Sequence, residues 1–315
     1  MNELLILVPC DDNQKEKLYK ECKDRYHVTF GTGADKELVK NHIRQADVII
    51  GEPDMEWIQD AANLQWIQMT WAGTDKYTRN PGFPEGVMLT SASGAFGVVI
   101  SEYVIGAILN MYRRFPQYRK NQEMHLWKDM GSERCIYGKR VLILGAGNIG
   151  SETAKRLKTF GAYVTGVRRT NMEKEFFDEM HTLDGLDEEL KKADIVVGCM
   201  PNNDETVGLL DYERLKKMKT DALFVNVGRG HLLKNGALEK VLLEGHLSGA
   251  VLDVESVEPL PGDSVLWDMD NVMITPHISG PSFGHSKDTE NRIWDICLDN
   301  LCRFQEGREL LNRCI

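Results

Sequence analysis

The chain has 315 residues, a length that favours two domains with a hydrophobic core each. It carries 48 acidic and 38 basic residues, and its formal net charge of −10 argues against a nucleic-acid partner, whose phosphates would be repelled. The seven cysteines include no C-x-x-C spacing, so we expect no disulfide framework and no metal site.

The N-terminal part alternates short apolar runs with amphipathic stretches. The predicted strands are residues 4–8, 28–30, 48–50, 66–69 and 87–90, with helical patterns such as 14–22 and 35–45 between them. This alternation of strands and helices is typical of a parallel sheet covered by helices. The first apolar run is too short for a signal peptide, and we expect a cytoplasmic protein.

The longest apolar region follows at residues 96–112. Ser101, Glu102 and Asn110 interrupt its most apolar part, which favours a buried helix over a membrane span. We predict a helical arm over residues 100–130. Because the arm is apolar nearly all round at its start, it is expected to contact another domain or a second copy of the chain.

Residues 141–170 are the most informative part of the sequence. Gly145, Gly147 and Gly150 form a G-x-G-x-x-G turn between an apolar run and a predicted helix over 149–160. In a dinucleotide site the first glycine allows a tight turn, the second admits the pyrophosphate, and the third lets helix and sheet pack closely. The helix would direct its positive N-terminal end at the phosphates. Taken alone, the glycines would predict only a turn.

Basic residues follow the next predicted strand, 163–167. An NAD site usually has Asp or Glu about 20 residues after the glycines, where it accepts a hydrogen bond from the ribose 2′-hydroxyl. This chain has Arg168, Arg169 and Thr170 there. A guanidinium pair can bind a 2′-phosphate, so NADP(H) is the preferred cofactor and NAD(H) the alternative. Two solvated surface arginines are the structural alternative.

Four further strands, at residues 195–198, 222–227, 249–254 and 272–275, complete a predicted six-stranded doubly wound sheet. Arg229, Glu258 and His277 follow the last three strands. Ligands of such sheets bind beyond the carboxyl ends of the strands. A histidine can protonate a keto oxygen, a carboxylate can favour its imidazolium form, and an arginine can anchor a substrate carboxylate. Each residue alone could be structural, but the set of three favours an active site.

Three motifs carry a family resemblance. They are Val225-Asn226-Val227-Gly228-Arg229-Gly230, then Gly249-Ala250-Val251-Leu252-Asp253-Val254 with Glu258-Pro259-Leu260-Pro261, and Ile274-Thr275-Pro276-His277. The chain resembles the D-isomer-specific 2-hydroxyacid dehydrogenases over nearly its whole length, most strongly over residues 138–280. The resemblance implies that Arg229 binds substrate, that His277 is the acid/base and that Glu258 is its partner.

The resemblance implies further binding positions. Asn148 and Ile149 would lie by the pyrophosphate, and Asp253 would hold the nicotinamide carboxamide. Met200, Pro201 and Val227 join the predicted cofactor-binding set. Backbone amides around Trp71, Ala72 and Gly73 would bind the substrate carboxylate, with Arg229 and His277 also contacting the substrate. Trp71 either shapes the side-chain pocket or packs in the core.

The implied fold class is α/β, with two doubly wound parallel-sheet domains. A Rossmann dinucleotide-binding domain, residues 99–285 with the dimerisation arm 100–130, is inserted in a flavodoxin-like substrate domain of residues 1–98 and 286–315. The family also implies a homodimer. Residues 112–115 and 201–208 are similar to its glyoxylate/hydroxypyruvate reductase branch.

These observations predict a cytoplasmic reductase of small 2-keto acids that prefers NADP(H). Two alternatives stay open at this point. One is an NAD-dependent dehydrogenase of the lactate or phosphoglycerate type, and the other is a non-catalytic, dinucleotide-sensing protein of the corepressor kind. The Arg–Glu–His set argues against the second, because a sensor needs no proton donor.

Overall fold

The computed structural model describes residues 1–22, 25–170 and 172–315. The chain divides into two compact units. Unit 1 combines Met1–Phe96 with Pro281–Ile315, and unit 2 is Gly97–Gly280.

Unit 1 is a parallel sheet with helices. Its strands are β1 Asn2–Ile6, β2 Tyr26–Phe30, β3 Val48–Ile50, β4 Trp66–Gln68 and β5 Met88–Thr90. Its helices are α1 Asp12–Cys22, α2 Lys36–Gln45, the short α3 Met55–Ile58 and α4 Asp75–Thr78, and the C-terminal α11 Lys287–Gln305. The strand order β2-β1-β3-β4-β5 is that of flavodoxin-like sheets.

Hydrophobic strands and an amphipathic C-terminal helix build the core of unit 1. All three residues of β3 are fully buried, as expected for a parallel strand covered on both faces. The helix α11 begins at a cap in which Ser286 Oγ accepts from the Thr289 N–H. It buries a stripe that includes Ile293, Trp294 and Leu301, and the Trp294 indole N–H donates to the Pro9 carbonyl.

Unit 2 contains the larger sheet. Its strands are β6 Arg140–Leu144, β7 Tyr163–Val167, β8 Glu179–His181, β9 Ile195–Gly198, β10 Leu223–Asn226, β11 Gly249–Leu252 and β12 Val272–Ile274. Its helices are α5 Gly97–Tyr112, α6 Phe115–Glu123, α7 Asn148–Thr159, α8 Leu186–Lys192, α9 Tyr212–Lys217 and α10 Ala237–Leu243. The parallel order β12-β11-β10-β9-β6-β7-β8 is that of a Rossmann sheet with one added strand. The predicted fold class is confirmed.

The predicted count of six strands in this sheet is wrong, because the described residues form seven. The missed strand, β8, lies at the sheet edge and has three half-buried residues, of which Glu179 and His181 are polar. An edge strand needs no continuous apolar run, so the pattern that identified the inner strands does not appear in β8.

The predicted arm over residues 100–130 is also only partly helical. The helix α5 ends at Tyr112, Arg114 adopts a left-handed φ of 54°, and α6 runs only to Glu123. A proline in the first turn of α6 explains the break, because proline lacks the N–H that a continuous helix would need there. The first part, α5, packs against α7 within unit 2. No helix in the described residues is both long and apolar enough to span a bilayer.

Candidate active site

The glycine turn between β6 and α7 has the shape that its sequence predicts. Gly145 has a φ of +103°, and a Cβ there would lie 2.8 Å from the Cys199 carbonyl oxygen. A Cβ on Gly150 would lie 2.2 Å from the Gly145 oxygen, so both glycines are required by contacts within the protein. A Cβ on Gly147 would meet nothing within 4 Å among the described residues. Open space beside Gly147 is what the approach of a ligand requires.

The N-terminal end of α7 is available for an anion. Gly147 is its N-cap and supplies no side-chain hydrogen bond, so the first N–H groups are not capped by that residue. Asn148 is exposed and Ile149 is half-buried at the start of this helix. Exposed amides and the positive end of the helix dipole together favour a phosphate.

Basic side chains follow β7. Arg168 is half-buried and its N–H donates to the His181 carbonyl, whereas Arg169 and Thr170 are exposed. Lys174 Nζ donates to the Ala146 carbonyl in the glycine turn at 2.5 Å. Burial lowers the pKa of Lys174, and the positive charge of Arg168 lowers it further. The two cations are therefore close enough to repel each other.

No carboxylate of the described residues forms an ion pair with Arg168, Arg169 or Lys174. Cations that gather beside a glycine turn without an acidic partner favour an anionic ligand. The sequence prediction included both arginines and missed Lys174. Nothing in the sequence indicates that Lys174 contacts the glycine turn.

Glu258 and His277 form the expected pair. His277 Nδ1 lies 2.9 Å from Glu258 Oε2, and both side chains are partly exposed, at 50% and 41%. The other oxygen, Glu258 Oε1, accepts a hydrogen bond of 3.0 Å from the Glu255 N–H. The carboxylate is thus held between the backbone of its own loop and the imidazole ring.

Asp253 fixes the backbone around His277. His277 has a left-handed φ of +55°, a conformation that costs about 1 kcal/mol or more for a residue other than glycine. Its N–H donates to the Asp253 carbonyl, and the next two N–H groups, of Ile278 and Ser279, donate to the Asp253 carboxylate at 2.9 and 3.0 Å. These bonds offset the strain and orient the ring.

The hydroxyl of Thr275 also donates to the Asp253 carboxylate, at 2.6 Å, and lies within 2.6 Å of the Tyr103 hydroxyl on α5. Asp253 itself is 1% exposed. Its carboxylate oxygens therefore accept three hydrogen bonds from within the protein, and its predicted contact with a carboxamide stays a prediction.

Arg229 lies in the turn after β10. The C-terminal residues Asn226, Leu252 and Ile274 of the neighbouring strands β10, β11 and β12 are in register, so the residues that follow emerge at one sheet edge. Arg229 Nη1 donates to the Gly228 carbonyl at 2.8 Å. The next residue, Gly230, packs so tightly on the loop after β11 that a Cβ would lie 1.9 Å from the Glu255 carbonyl carbon.

The structure thus brings Glu258 and His277 into direct contact, and it places Arg229 in the turn that packs against the loop of Glu258. Three other residues of the predicted cofactor set belong to the same sheet edge. Val227 is buried and bonded through its N–H to Gly198, Met200 is buried, and Pro201 is exposed. All of these residues are in unit 2.

The predicted substrate-carboxylate turn lies in unit 1. Glu52 holds its start, because the carboxylate accepts from the N–H groups of Thr70 and Trp71 at 2.6 and 3.1 Å. Burial raises the pKa of Glu52, and these donors oppose that rise. Trp71 is 48% exposed, so the alternative that it packs in the core is wrong. Ala72 is exposed and Gly73 half-buried.

The chain is similar to proteins of a known family. Residues 105–279 match the sequence model of the NAD-binding domain of D-isomer specific 2-hydroxyacid dehydrogenases. A glyoxylate reductase of Thermofilum pendens is 31% identical over 305 residues, which cover 92% of this chain and 88% of that protein.

Two solved structures are similar over the whole chain. A D-isomer specific 2-hydroxyacid dehydrogenase family protein of Aeromonas salmonicida has a TM-score of 0.89 and 32% identity, with 100% of this chain and 99% of that chain covered. An NADPH-dependent glyoxylate/hydroxypyruvate reductase of Sinorhizobium meliloti, solved with NADP and sulfate, has a TM-score of 0.83 and 25% identity, with 100% and 98% covered.

Proposed function

This chain belongs to the D-isomer-specific 2-hydroxyacid dehydrogenase family, and we propose that it reduces small 2-keto acids to D-2-hydroxy acids with NADPH. It is an oxidoreductase that acts on CH–OH donors and uses a nicotinamide dinucleotide. The observation that carries the finer proposal is the 2.9 Å contact between His277 and Glu258, at the sheet edge from which Arg229 also emerges.

The glycine turn fits a dinucleotide. The space beside Gly147 and the amides at the start of α7 would bind the pyrophosphate, with Asn148 and Ile149 adjacent. Met200, Pro201 and Val227 would line the nucleotide site. When bound in its reduced form, the nicotinamide supplies a hydride.

The preference for NADP(H) is supported by the charges after β7. Arg168, Arg169 and Lys174 have no carboxylate partner among the described residues, and Thr170 adds a hydroxyl. A ribose 2′-phosphate would relieve the repulsion between Arg168 and Lys174. The similar Sinorhizobium reductase was solved with NADP.

His277 is proposed as the proton donor. Its Nδ1 faces Glu258, so Nε2 is the nitrogen that would protonate the keto oxygen of a substrate. The carboxylate of Glu258 contacts Nδ1 and orients the ring. Arg229 would bind the substrate and polarise its carbonyl group. In unit 1, the backbone amides of residues 71–73 are proposed to bind the substrate carboxylate.

Initial rates with purified protein test the activity. We expect oxidation of NADPH by glyoxylate and hydroxypyruvate, with a kcat/KM for NADPH at least about tenfold above that for NADH, as one to two charged hydrogen bonds would give. Pyruvate and branched or aromatic keto acids complete the substrate panel. NADH-dependent turnover alone would favour the lactate- or phosphoglycerate-type alternative. Tight NADPH binding without any turnover would favour a dinucleotide sensor.

The thiols and the arm support two further parts of the proposal. All seven cysteines are free, which suits a reducing compartment such as the cytoplasm.

The segment after α6 exposes Met124, Leu126 and Trp127 at 59%, 49% and 105%. Three adjacent apolar side chains in solvent are costly for a monomer, and we propose that a second copy of the chain covers them.

Replacing Trp127 with serine is expected to weaken this homodimer about tenfold or more, because large aromatic residues contribute most to interface affinity. Sedimentation over a range of protein concentrations measures the dissociation constant. Trp267→Ser is the matched control, since Trp267 is also exposed but lies outside the arm. A wild-type protein that is monomeric at all concentrations would contradict the proposal, as would equal dimer affinity in all three proteins.

A further inference from the structure

A cavity of about 220 Å³ lies at the amino-terminal edge of the large sheet in unit 2. It is lined by the first residue of β10, the residues before β11 and β12, the junction of α5 and α6, and the segment after the arm. Because these strands are parallel, this edge is opposite the one from which Arg229 emerges. The proposed function does not use the cavity. Its polar lining includes Arg114, Gln117, Ser132, Arg134, Ser248 and Asn271.

Arg114 is the first of two cations in this cavity. It is half-buried at the N-cap of α6, and its Nη1 donates to the Met130 carbonyl at 2.8 Å. A guanidinium has several N–H donors, and that carbonyl takes one of them. Within the described residues Arg114 forms no ion pair, and none of their carboxylates lines the cavity. The charge of Arg114 is therefore not neutralised by the protein.

Arg134 reaches the same cavity from the segment after the arm. Its Nη1 donates to the Asp221 carbonyl, and its Nη2 lies 3.7 Å from the Asp221 carboxylate. That carboxylate is 68% exposed, and an exposed ion pair of this length contributes little. The buried ring of Tyr112 lies 5.9 Å from the guanidinium carbon and restricts where the group can lie. The cavity thus holds a second guanidinium whose charge is only weakly compensated.

We propose that this cavity binds a small oxyanion, a phosphate or carboxylate group, between the guanidinium groups of Arg114 and Arg134. Arginine binds both kinds of group through paired N–H donors. The Ser132 hydroxyl and the Asn271 amide have no hydrogen-bond partner within the described residues, and they supply neutral donors. A cavity of about 150 Å³ takes up benzene in an engineered protein, so this larger one admits a small organic anion.

A bound oxyanion would join the start of α6 and the segment after the arm to the sheet. Hydrogen exchange measured with and without phosphate locates the site, because amides beside a bound ligand open less often. We expect protection in peptides that cover residues 112–118 and 131–135. With NADP⁺ present in both samples, peptides that cover the glycine turn at residues 145–150 should not change. Protection confined to the glycine turn would contradict the inference.

Calorimetric titration with sodium phosphate and with sodium malonate tests the two arginines. Saturating NADP⁺ keeps the dinucleotide site occupied, and sodium chloride at equal ionic strength is the reference. We expect saturable binding of at least one of the two anions. Its affinity should fall at least about tenfold in Arg114→Gln, because charged hydrogen bonds are lost. Arg113→Gln is the matched control, since Arg113 is the adjacent, exposed arginine, pairs with Glu133 and does not line the cavity.

Asn271→Asp is a second variant in case Arg114→Gln disturbs the arm. It keeps both arginines and the size of the side chain, and its carboxylate would compete with the ligand for the guanidinium groups. Binding should again weaken at least about tenfold. Tighter binding of phosphate or of malonate identifies the class of ligand. No saturable binding of either anion, or wild-type affinity in both variants, would overturn the inference. An absence of keto acid turnover would contradict the proposed function alone.

Discussion

His277→Asn is expected to lower kcat for keto acid reduction about 10³-fold, because general acid catalysis typically contributes 10²–10⁴. Asparagine suits this position, since it tolerates the left-handed φ of +55° that His277 adopts. The Asp253 carbonyl and carboxylate should still hold the turn, as the N–H groups that bind them are unchanged. Steady-state rates with NADPH give the loss of turnover.

Binding of NADPH, measured by fluorescence titration, should stay within about threefold of wild type, because the glycine turn is separate from the imidazole. His285→Ala is the control for removal of an exposed histidine. If His277→Asn retained more than a tenth of wild-type turnover, another group would be the proton donor.

Arg168→Asp is expected to reverse the cofactor preference. Loss of a bidentate guanidinium contact with the 2′-phosphate should lower kcat/KM for NADPH about 10²-fold, at roughly 1.5–3 kcal/mol for each charged hydrogen bond. The new carboxylate can accept from a ribose 2′-hydroxyl, so kcat/KM for NADH should rise. The ratio of the two values, measured with one keto acid, gives the change directly.

Lys174→Met tests the contribution of the lysine that the sequence analysis missed. It should lower kcat/KM for NADPH about tenfold with little change for NADH, since only the phosphate interaction is lost. Lys191→Asp, a charge reversal at an exposed position of α8, should leave the ratio unchanged. An unaltered ratio in Arg168→Asp would refute the 2′-phosphate interpretation.

Much of this architecture is readable from the sequence because parallel strands are buried on both faces. Residues 48–50, 163–167 and 195–198 contain no charged side chain, and the structure has strands with those bounds. The same argument applies to the candidate site. Strands β10, β11 and β12 are neighbours and in register, so Arg229, Glu258 and His277 could be assigned to one edge from their places after three runs.

The features that the sequence did not reveal have other causes. The strand β8 is polar because it lies at an edge, and the arm is interrupted where Arg114 takes a left-handed φ before α6. Lys174 and Glu255 matter through contacts made by irregular segments, with Ala146 and Glu258 respectively. Periodicity carries no information on such contacts, because they depend on the path of a loop.

Isotope transfer tests hydride delivery from NADPH to a keto acid. Hydroxypyruvate is reduced by wild-type protein with each of the two forms of NADPH deuterated at nicotinamide C4, and the glycerate formed is analysed for configuration and deuterium. We expect D-glycerate with deuterium at C2 from one of the two forms only, and about 10³-fold less product from His277→Asn. Formation of L-glycerate, or of glycerate without deuterium from either form, would contradict it.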